Sequence, residues 1–343
     1  MASSSSVETT TSPAEPGSSP TRAGNRKALL AALVGIPLLA AVLLSAFVWP
    51  SSSIGPRDVP IGVTGPPPAV AAVEAQLAER EGAFTVTSYA DVEAAEAAIG
   101  DRDIYGAIAI GPDGAQLLTS TAASPVVAQL LGDIARGIGQ AQGSQVAIRD
   151  VVAADPDDPR GAGLATTVLP MIILGIAIGA ISTLLARDSL GRLGVLAVGA
   201  VMAGLAGIAL LQGWLGIIGG DWWANAAALT LTVGAVAATV AGLGALLGEA
   251  GLGVGALTMV LLGNPLSGAS SAPELLSQPW GALGQALPPG AGVTLLRGTA
   301  FFDGAGAVGP IWTLVVWWLI GGALLVVAGL RGRRTSVLAA CGG

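Results

Sequence analysis

The most regular feature of this sequence is a series of long apolar segments in its second half. Five of them, at residues 164–186, 194–215, 222–242, 245–263 and 309–330, consist largely of small and aliphatic residues. An earlier apolar run, residues 28–48, would form a helix about 31 Å long, which matches a bilayer core of roughly 30 Å. We assign residues 28–49 to transmembrane helix 1, 164–263 to helices 2–5 and 309–330 to helix 6.

The first 27 residues are rich in Ser, Thr, Pro and Gly, a composition typical of disordered segments. A cleaved signal peptide is the alternative for the apolar run that follows. That run is long for a signal peptide, and the bulky residues Phe47, Val48 and Trp49 leave no clear small-residue cleavage site after it. We therefore expect an uncleaved first helix.

Residues 50–163 have a different pattern, in which short β-type runs alternate with amphipathic helical runs. Strands are predicted at 59–64, 83–89, 105–110, 115–120 and 145–152. Helices are predicted at 68–81, 91–99 and 125–142, with Asp91 as a cap. About a hundred residues suffice for one small α/β or α+β core, so the sequence predicts such a domain between helices 1 and 2.

The orientation follows from the basic residues, which gather on the cytoplasmic side of membrane proteins. If the N-terminus is cytoplasmic, the bases beside the predicted helices share that side: Arg22, Arg26, Lys27, Arg187, Arg192, Arg331, Arg333 and Arg334. Several tryptophans then fall at the outer helix ends: Trp49, Trp214, Trp222, Trp223 and Trp312. Residues 50–163 and 264–308 become extracytoplasmic, and the tail 331–343 is cytoplasmic.

The composition excludes several kinds of chemistry. The chain of 343 residues is 52% hydrophobic and 11% charged, and it has no histidine and one cysteine. Its only lysine, Lys27, has no phosphate-binding loop around it. We therefore expect no ATP hydrolysis by this chain, no enzyme activity, no cofactor and no metal site. The predicted span interiors carry no ionisable group, which disfavours an ion-coupled carrier.

The segment between the last two helices, residues 264–308, is too polar for a span and too apolar for a solvated loop. Ser271 and Glu274 have the spacing of a capping box, so we expect a helix over 273–286, broken near Pro279, and a second helix over 291–302. The resulting helical hairpin would rest in the outer membrane interface. We expect Arg297 and Asp303 to be its exposed charges.

Five short motifs carry a resemblance to a known family. They are residues 103–108 (DIYGAI), 158–161 (DPRG), 263–268 (GNPLSG), 287–292 (LPPGAG) and 296–304 (LRGTAFFDG). With the order of one span, an outer domain and five further spans, the chain resembles permease subunits of type-2 ATP-binding-cassette exporters. It is especially similar to the branch of phage-infection-protein-like membrane proteins.

The resemblance implies a bacterial cell-membrane permease that moves an unidentified substrate outward. Its expected partners are a separate ATPase subunit, a second permease in a homodimer or heterodimer, and the lipid bilayer, with no nucleic acid. By this analogy the ATPase would lie near a coupling turn formed by Arg187, Asp188, Arg192 and Glu249. An outer gate would then comprise the following residues: Asn264, Pro265, Ser267, Gly268, Pro288, Pro289, Arg297 and Asp303.

Three alternatives stay open at this point. Members of the same branch are also known as surface receptors or secretion accessories, so a membrane-anchored receptor or scaffold without transport is the second hypothesis. The basic turn at 187–192 is also explained by topology alone, and the 264–308 segment by a structural plug of the same shape.

Overall fold

The computed structural model describes residues 33–38, 40–42, 44, 45, 48, 52, 54–112, 114–143, 145–158, 161–186 and 188–341, without the side chains of 141, 142 and 332–341. The predictions for residues 1–27, for most of the first span and for Trp49 and Arg187 lie outside the described residues. The chain divides into two units, Met1–Ser45 and Ala46–Gly343. In the first unit, the described residues are helical.

The sheet domain, residues 54–158, is built on five strands in the order β2-β1-β3-β4-β5. They are β1 (Val59–Thr64), β2 (Phe84–Tyr89), β3 (Gly106–Gly111), β4 (Gly114–Thr119) and β5 (Ala147–Asp150). β1 pairs in parallel with both β2 and β3, β3 and β4 form an antiparallel hairpin, and β5 runs parallel to β4. All five strands lie within or next to the predicted runs.

Three helices cover the two faces of this sheet: α1 (Pro67–Ala78), α2 (Val92–Gly100) and α3 (Pro125–Gln142). Leu77 of α1 and Leu131 of α3 share a core with Ile61 of β1 on one face. On the other face, Ile99 of α2 packs with Leu118 of β4. The domain is therefore of the α/β type. The Asp91 side chain accepts a hydrogen bond from the Ala94 amide, which confirms the predicted cap.

The remaining helices form a bundle. They are α4 (Ala162–Leu185), α5 (Ser189–Ile208), α6 (Trp222–Leu247), α7 (Glu249–Leu257), α8 (Trp280–Gln285), α9 (Pro288–Phe301) and α10 (Val308–Cys341). Short π-helical segments, Ala209–Trp214 and Thr258–Gly263, continue α5 and α7. α6 is the central helix, because it packs against α4, α5, α7, α9 and α10.

Four helices of the described chain are long and apolar enough to cross a membrane: Ala162–Leu185, Ser189–Trp214, Trp222–Leu247 and Val308–Arg331. The fifth predicted span corresponds to Glu249–Gly263, which has fewer than 18 residues. At about 1.5 Å per residue it is shorter than a bilayer core of roughly 30 Å. Within the described residues, four of the six predicted spans therefore correspond to helices of sufficient length, and the first span lies mostly outside those residues.

Small residues bring the helix backbones close together. A Cβ on Gly175 of α4 would lie 2.7 Å from Val236 Cβ of α6, and one on Gly179 would lie 2.7 Å from the Ala237 carbonyl oxygen. Gly255 of α7 similarly faces the Val240 backbone at 3.2 Å. Small residues at such positions let the backbones of membrane helices approach closely.

The bundle has two distinct ends. At one end, the Ser189 hydroxyl donates a hydrogen bond to the Leu325 carbonyl at 3.1 Å, which joins the start of α5 to α10. We call this the turn end, since the connections before α5 and between α6 and α7 lie there. At the opposite end, which we call the domain end, the sheet domain and the 264–308 segment are found. Trp214, Trp223 and Trp312 are exposed near this end.

Candidate functional site

The 264–308 segment is the joint between the sheet domain and the bundle. Its residues Ala272 and Leu275 belong to the core beneath β1 and α3. Farther along, Leu295 and Leu296 belong to the core of the bundle. One continuous segment thus contributes apolar side chains to both parts of the molecule.

The predicted helix over 273–286 is wrong in its first half. A single 3-10 turn, Pro273–Leu275, is followed by extended chain, and α8 begins only at Trp280, after Pro279. The capping box is also wrong, because the residue that precedes the turn is Ala272 and no side chain caps it. The Glu274 carboxylate instead accepts a hydrogen bond from the Tyr105 hydroxyl.

The second predicted helix exists as α9, but it lies inside the protein and not on a membrane surface. Its buried residues pack against α6, α10 and α4. Arg297, which we expected to be exposed, is only 5% exposed. Asp303 is exposed as predicted, in a turn where its φ is +49°. The prediction of an interfacial hairpin is therefore wrong for α9.

Backbone and side-chain hydrogen bonds fasten the sheet domain to this segment. The Gly55 amide donates to the Leu275 carbonyl, and the Arg57 amide donates to the Glu274 carbonyl, both at 3.1 Å. The Arg57 guanidinium adds a bond of 2.9 Å to the Leu275 carbonyl. On the far side, the Ser124 hydroxyl donates to the Ser271 carbonyl at 2.8 Å. These bonds come from the start of the domain and from the residue before α3, and they fasten both places to the segment.

A cavity of about 280 Å³ lies within this joint. Its polar lining comes from the turn before β3, the 3-10 turn, α8 and α9: Arg102, Tyr105, Glu274, Gln285, Thr294 and Arg297. The Tyr105 hydroxyl donates to Glu274 Oε2 at 2.7 Å. Arg297 Nη2 donates to the Ala269 carbonyl at 3.0 Å. The site therefore contains two guanidinium groups and one carboxylate.

Burial changes the protonation equilibria of these groups. Desolvation lowers the pKa of Arg297 to about 10, and the neighbouring Arg102 also lowers it. Desolvation likewise raises the pKa of the Tyr105 hydroxyl, and the Glu274 carboxylate adds to that rise. At neutral pH both arginines are charged and the phenol is neutral.

Arg102 reaches α9 from an unusual backbone conformation. It follows α2 with φ of +65°, a left-handed conformation that costs a non-glycine residue about 1 kcal/mol or more. Its Nη1 donates to the Thr294 carbonyl at 3.0 Å, and its guanidinium lies 5.4 Å from the centre of the Phe302 ring. The turn thus directs a long cationic side chain from the sheet domain onto α9.

The other predicted gate residues divide between a second cavity and the packing around α9. Asn264, Pro265, Ser267 and Gly268 line a cavity of about 210 Å³ next to the first. Gln285 connects the two, because its amide group donates to the Ser267 carbonyl and its oxygen accepts from Thr294.

Pro288 and Pro289 begin α9 and are buried. A Cβ on Gly263 would lie 2.5 Å from Pro289 Cγ, so only glycine fits at that approach. These two prolines therefore have a packing role, whereas the Asn264–Gly268 stretch borders open space.

Three of the four residues predicted to form the coupling turn are described in the structure: Asp188, Arg192 and Glu249. Asp188 and Glu249 are exposed at the turn end. Asp188 caps α5 through the Gly191 amide, and Arg192 Nε donates to the Ala186 carbonyl at the end of α4. Arg192 thus caps the end of α4. An ordinary turn residue can fill this role without any partner protein.

Sequence reasoning named Arg297 but missed Arg102, Glu274 and Gln285 as its neighbours. Tyr105 and Arg297 both lie in motifs that were singled out, and Glu274 is a lone carboxylate in an apolar segment, which was the available signal. No group of three acidic, cysteine or histidine residues in the described part of the chain is placed to hold a metal ion. Compared with protein-family models, curated proteins and solved structures, the chain matches none.

Proposed function

We propose that this chain is the membrane-spanning permease subunit of an ATP-binding-cassette exporter and works with a separate ATPase subunit. The supporting observation is the continuous path of packing from the turn end to the sheet domain. The central helix α6 ends beside Glu249, and it packs directly against α9. A movement imposed at the turn end would therefore reach the joint through a single helix, as an energy-coupled permease requires.

In this proposal six helices span a bacterial cell membrane, with both termini in the cytoplasm. Besides the four long helices, these six comprise the apolar run at residues 28–49 and the short helix Glu249–Gly263. Because the short helix alone is shorter than the bilayer core, the 264–308 segment that follows it would complete the crossing. Only 17% of the apolar window of Val308–Arg331 is buried, which leaves a face for lipid or for a second permease.

The ATPase would dock at the turn end. Asp188 and Glu249 offer exposed carboxylates there, and Arg187 directly precedes Asp188 in sequence. Glu249 begins α7, and within the described part of the chain its side chain caps no helix and forms no ion pair, so its replacement should leave the fold intact. Asp188, in contrast, supports the start of α5. Glu249 is therefore the better residue with which to probe coupling.

The test is to co-express the full chain with any Walker-motif ATPase encoded beside it and to measure co-purification and ATP hydrolysis in proteoliposomes. Under the proposal, the ATPase binds the permease, and Glu249→Lys weakens binding and stimulation. The exposed Glu81, in the sheet domain, gives the matched control Glu81→Lys, which should have no effect. If the wild-type chain neither binds nor stimulates such an ATPase, the exporter proposal fails.

A receptor or secretion scaffold is the second candidate, and a crevice in the sheet domain favours it. The crevice has a volume of about 530 Å³ and lies at the carboxyl ends of β1 and β3, lined in part by Thr64, Asp91 and Gln116. Helix α1, which follows β1, and helix α2, which precedes β3, pack on opposite faces of the sheet. Open α/β sheets bind ligands at strand ends where the chain changes from one face to the other. If the chain is a receptor or scaffold, Gln116→Trp should abolish its activity in cells, because the larger side chain would fill the crevice. That activity should not depend on the binding of an ATPase.

A further inference from the structure

The cavity in the joint carries more positive than negative charge. Two arginines, Arg102 and Arg297, line it together with one carboxylate, Glu274. That carboxylate already accepts the hydrogen bond from Tyr105. The charged lining therefore has a formal excess of one positive charge in a half-buried cavity.

Arg297 is the most deeply placed of these groups. It is 5% exposed, and its one hydrogen bond in the described chain goes from Nη2 to the Ala269 carbonyl. A guanidinium has five N–H donors. Within the described residues, the ion pairs are Arg136–Asp133 and Arg149–Glu96, so no carboxylate lies at ion-pair distance from Arg297 or Arg102.

A buried charge is costly unless it is paired or fully hydrogen-bonded. The one carboxylate of the cavity, Glu274, attracts both guanidinium groups but, within the described residues, forms an ion pair with neither. The polar neighbours do not fill this need. The Gln285 amide group already donates to the Ser267 carbonyl, and its oxygen accepts from Thr294. The Tyr105 hydroxyl donates to Glu274. The cavity itself, about 280 Å³, has room for a group several times larger than a water molecule, whose share of liquid volume is about 30 Å³.

We infer that this cavity binds a small oxyanion, namely a phosphate or carboxylate group, between the guanidinium groups of Arg297 and Arg102. Arginine suits this ligand because its planar fork can donate two parallel hydrogen bonds to two oxygens. The anion would neutralise the excess charge and join α9 to the turn before β3. The inference does not depend on the exporter proposal, because the site lies wholly within this chain.

The same chemistry can come from a free anion or from the headgroup of an anionic lipid. Detergent-purified full-length chain, stripped of lipid, is titrated with sodium phosphate and with sodium acetate against sodium chloride at equal ionic strength. We expect a saturable rise in Tm of about 2 °C or more with one of the oxyanions. In a second arm, chain from vesicles of phosphatidylcholine with or without phosphatidylglycerol is analysed by native mass spectrometry for retained lipid.

Three variants make the result specific. Arg297→Gln and Arg102→Gln should each abolish the rise in Tm, or the lipid retention. Glu274→Gln keeps an acceptor for Tyr105 and removes the competing negative charge, so half-saturation should move to a lower anion concentration. Arg80→Gln, on the exposed surface of the sheet domain, is the matched control and should behave as the wild type.

If phosphatidylglycerol is retained and free phosphate displaces it, the natural ligand is a lipid. If only the free anion gives a response, the ligand is soluble. Either result supports the site. The inference is overturned if neither the oxyanions nor the anionic lipid bind saturably. It is equally overturned if binding is the same in the wild type, Arg297→Gln and Glu274→Gln, since a folded Glu274→Gln variant must respond differently.

Discussion

The Tyr105 hydroxyl donates a hydrogen bond of 2.7 Å to the Glu274 carboxylate, across 169 positions of sequence. Tyr105 directly precedes β3, and Glu274 lies in the 3-10 turn of the 264–308 segment. The backbone bonds from Gly55 and Arg57 reach the same turn. The charged side chain of Glu274 thus lies where two parts of the sheet domain, the stretch before β1 and the residue before β3, meet the joint.

Replacing Tyr105 with Phe should destabilise the protein. The ring stays, but Glu274 loses its donor in a partly buried site, and a hydrogen bond to a charged group contributes about 1.5–3 kcal/mol. We expect a lower Tm for Tyr105→Phe in a thermal unfolding experiment in detergent.

The matched control is Tyr89→Phe in β2, whose ring packs beside α2 and which keeps that packing after the change. Its effect should stay within about 0.5 kcal/mol. A Tyr105→Phe variant as stable as this control would mean that the bond to Glu274 contributes nothing net.

Tyr105 should also resist ionisation at alkaline pH. Burial and the Glu274 carboxylate raise its pKa in the folded state above the ordinary value of about 10. Since the folded state then holds the proton more tightly than the unfolded state, the associated stability is present below about pH 10 and is lost as the pH rises above it.

The Tyr89→Phe variant isolates this group, because Tyr89 and Tyr105 are the two tyrosines of the chain. Its absorbance at 295 nm should show no tyrosinate at pH 10.5, and the signal should appear together with unfolding measured by circular dichroism. A reversible titration near pH 10 in the folded protein would contradict the buried position of Tyr105.

The sheet domain was predictable because its elements are short, local and periodic. Helix α3 begins at Pro125 and ends at Gln142 as its pattern of apolar positions indicates, and Asp91 caps α2 through a contact three residues away. Such features depend on neighbours in sequence. The choice between α/β and α+β required the strand order, which no local pattern contains.

The 264–308 segment was harder because its partners are distant. Ser271 and Glu274 have the spacing of a capping box. However, Ser271 is buried against the start of α3, and Glu274 accepts a hydrogen bond from Tyr105. Arg297 was expected to be exposed because the segment was interpreted as a hairpin in the outer membrane interface. Only the approach of Arg102, from a turn almost two hundred residues earlier, reveals the buried charged cavity.

Two adjacent glycines of α10 allow a direct test of the helix packing. A Cβ on Gly321 would overlap the Ala238 carbonyl of α6, whereas one on Gly322 would meet nothing closer than Leu193 Cδ2 at 3.9 Å. Both substitutions improve helix propensity by up to about 1 kcal/mol. Gly321→Ala should nevertheless lower stability by about 1–3 kcal/mol through overpacking, and Gly322→Ala should be neutral or stabilising. Equal unfolding midpoints for the two variants would argue against the close contact of α6 and α10.

The single cysteine offers a test of the proposed orientation, because the chain contains no other thiol. If the tail after Val308–Arg331 is cytoplasmic, a membrane-impermeant maleimide should label Cys341 only after the cells are opened. Glu81 is exposed in the sheet domain, so Glu81→Cys combined with Cys341→Ser should be labelled in intact cells, since that domain is proposed to be outside. Labelling is read as a mass shift on a gel, with Cys341→Ser alone as the blank. Labelling of Cys341 in intact cells, or failure to label Glu81→Cys there, would reverse the orientation and move the ATPase site away from Asp188 and Glu249.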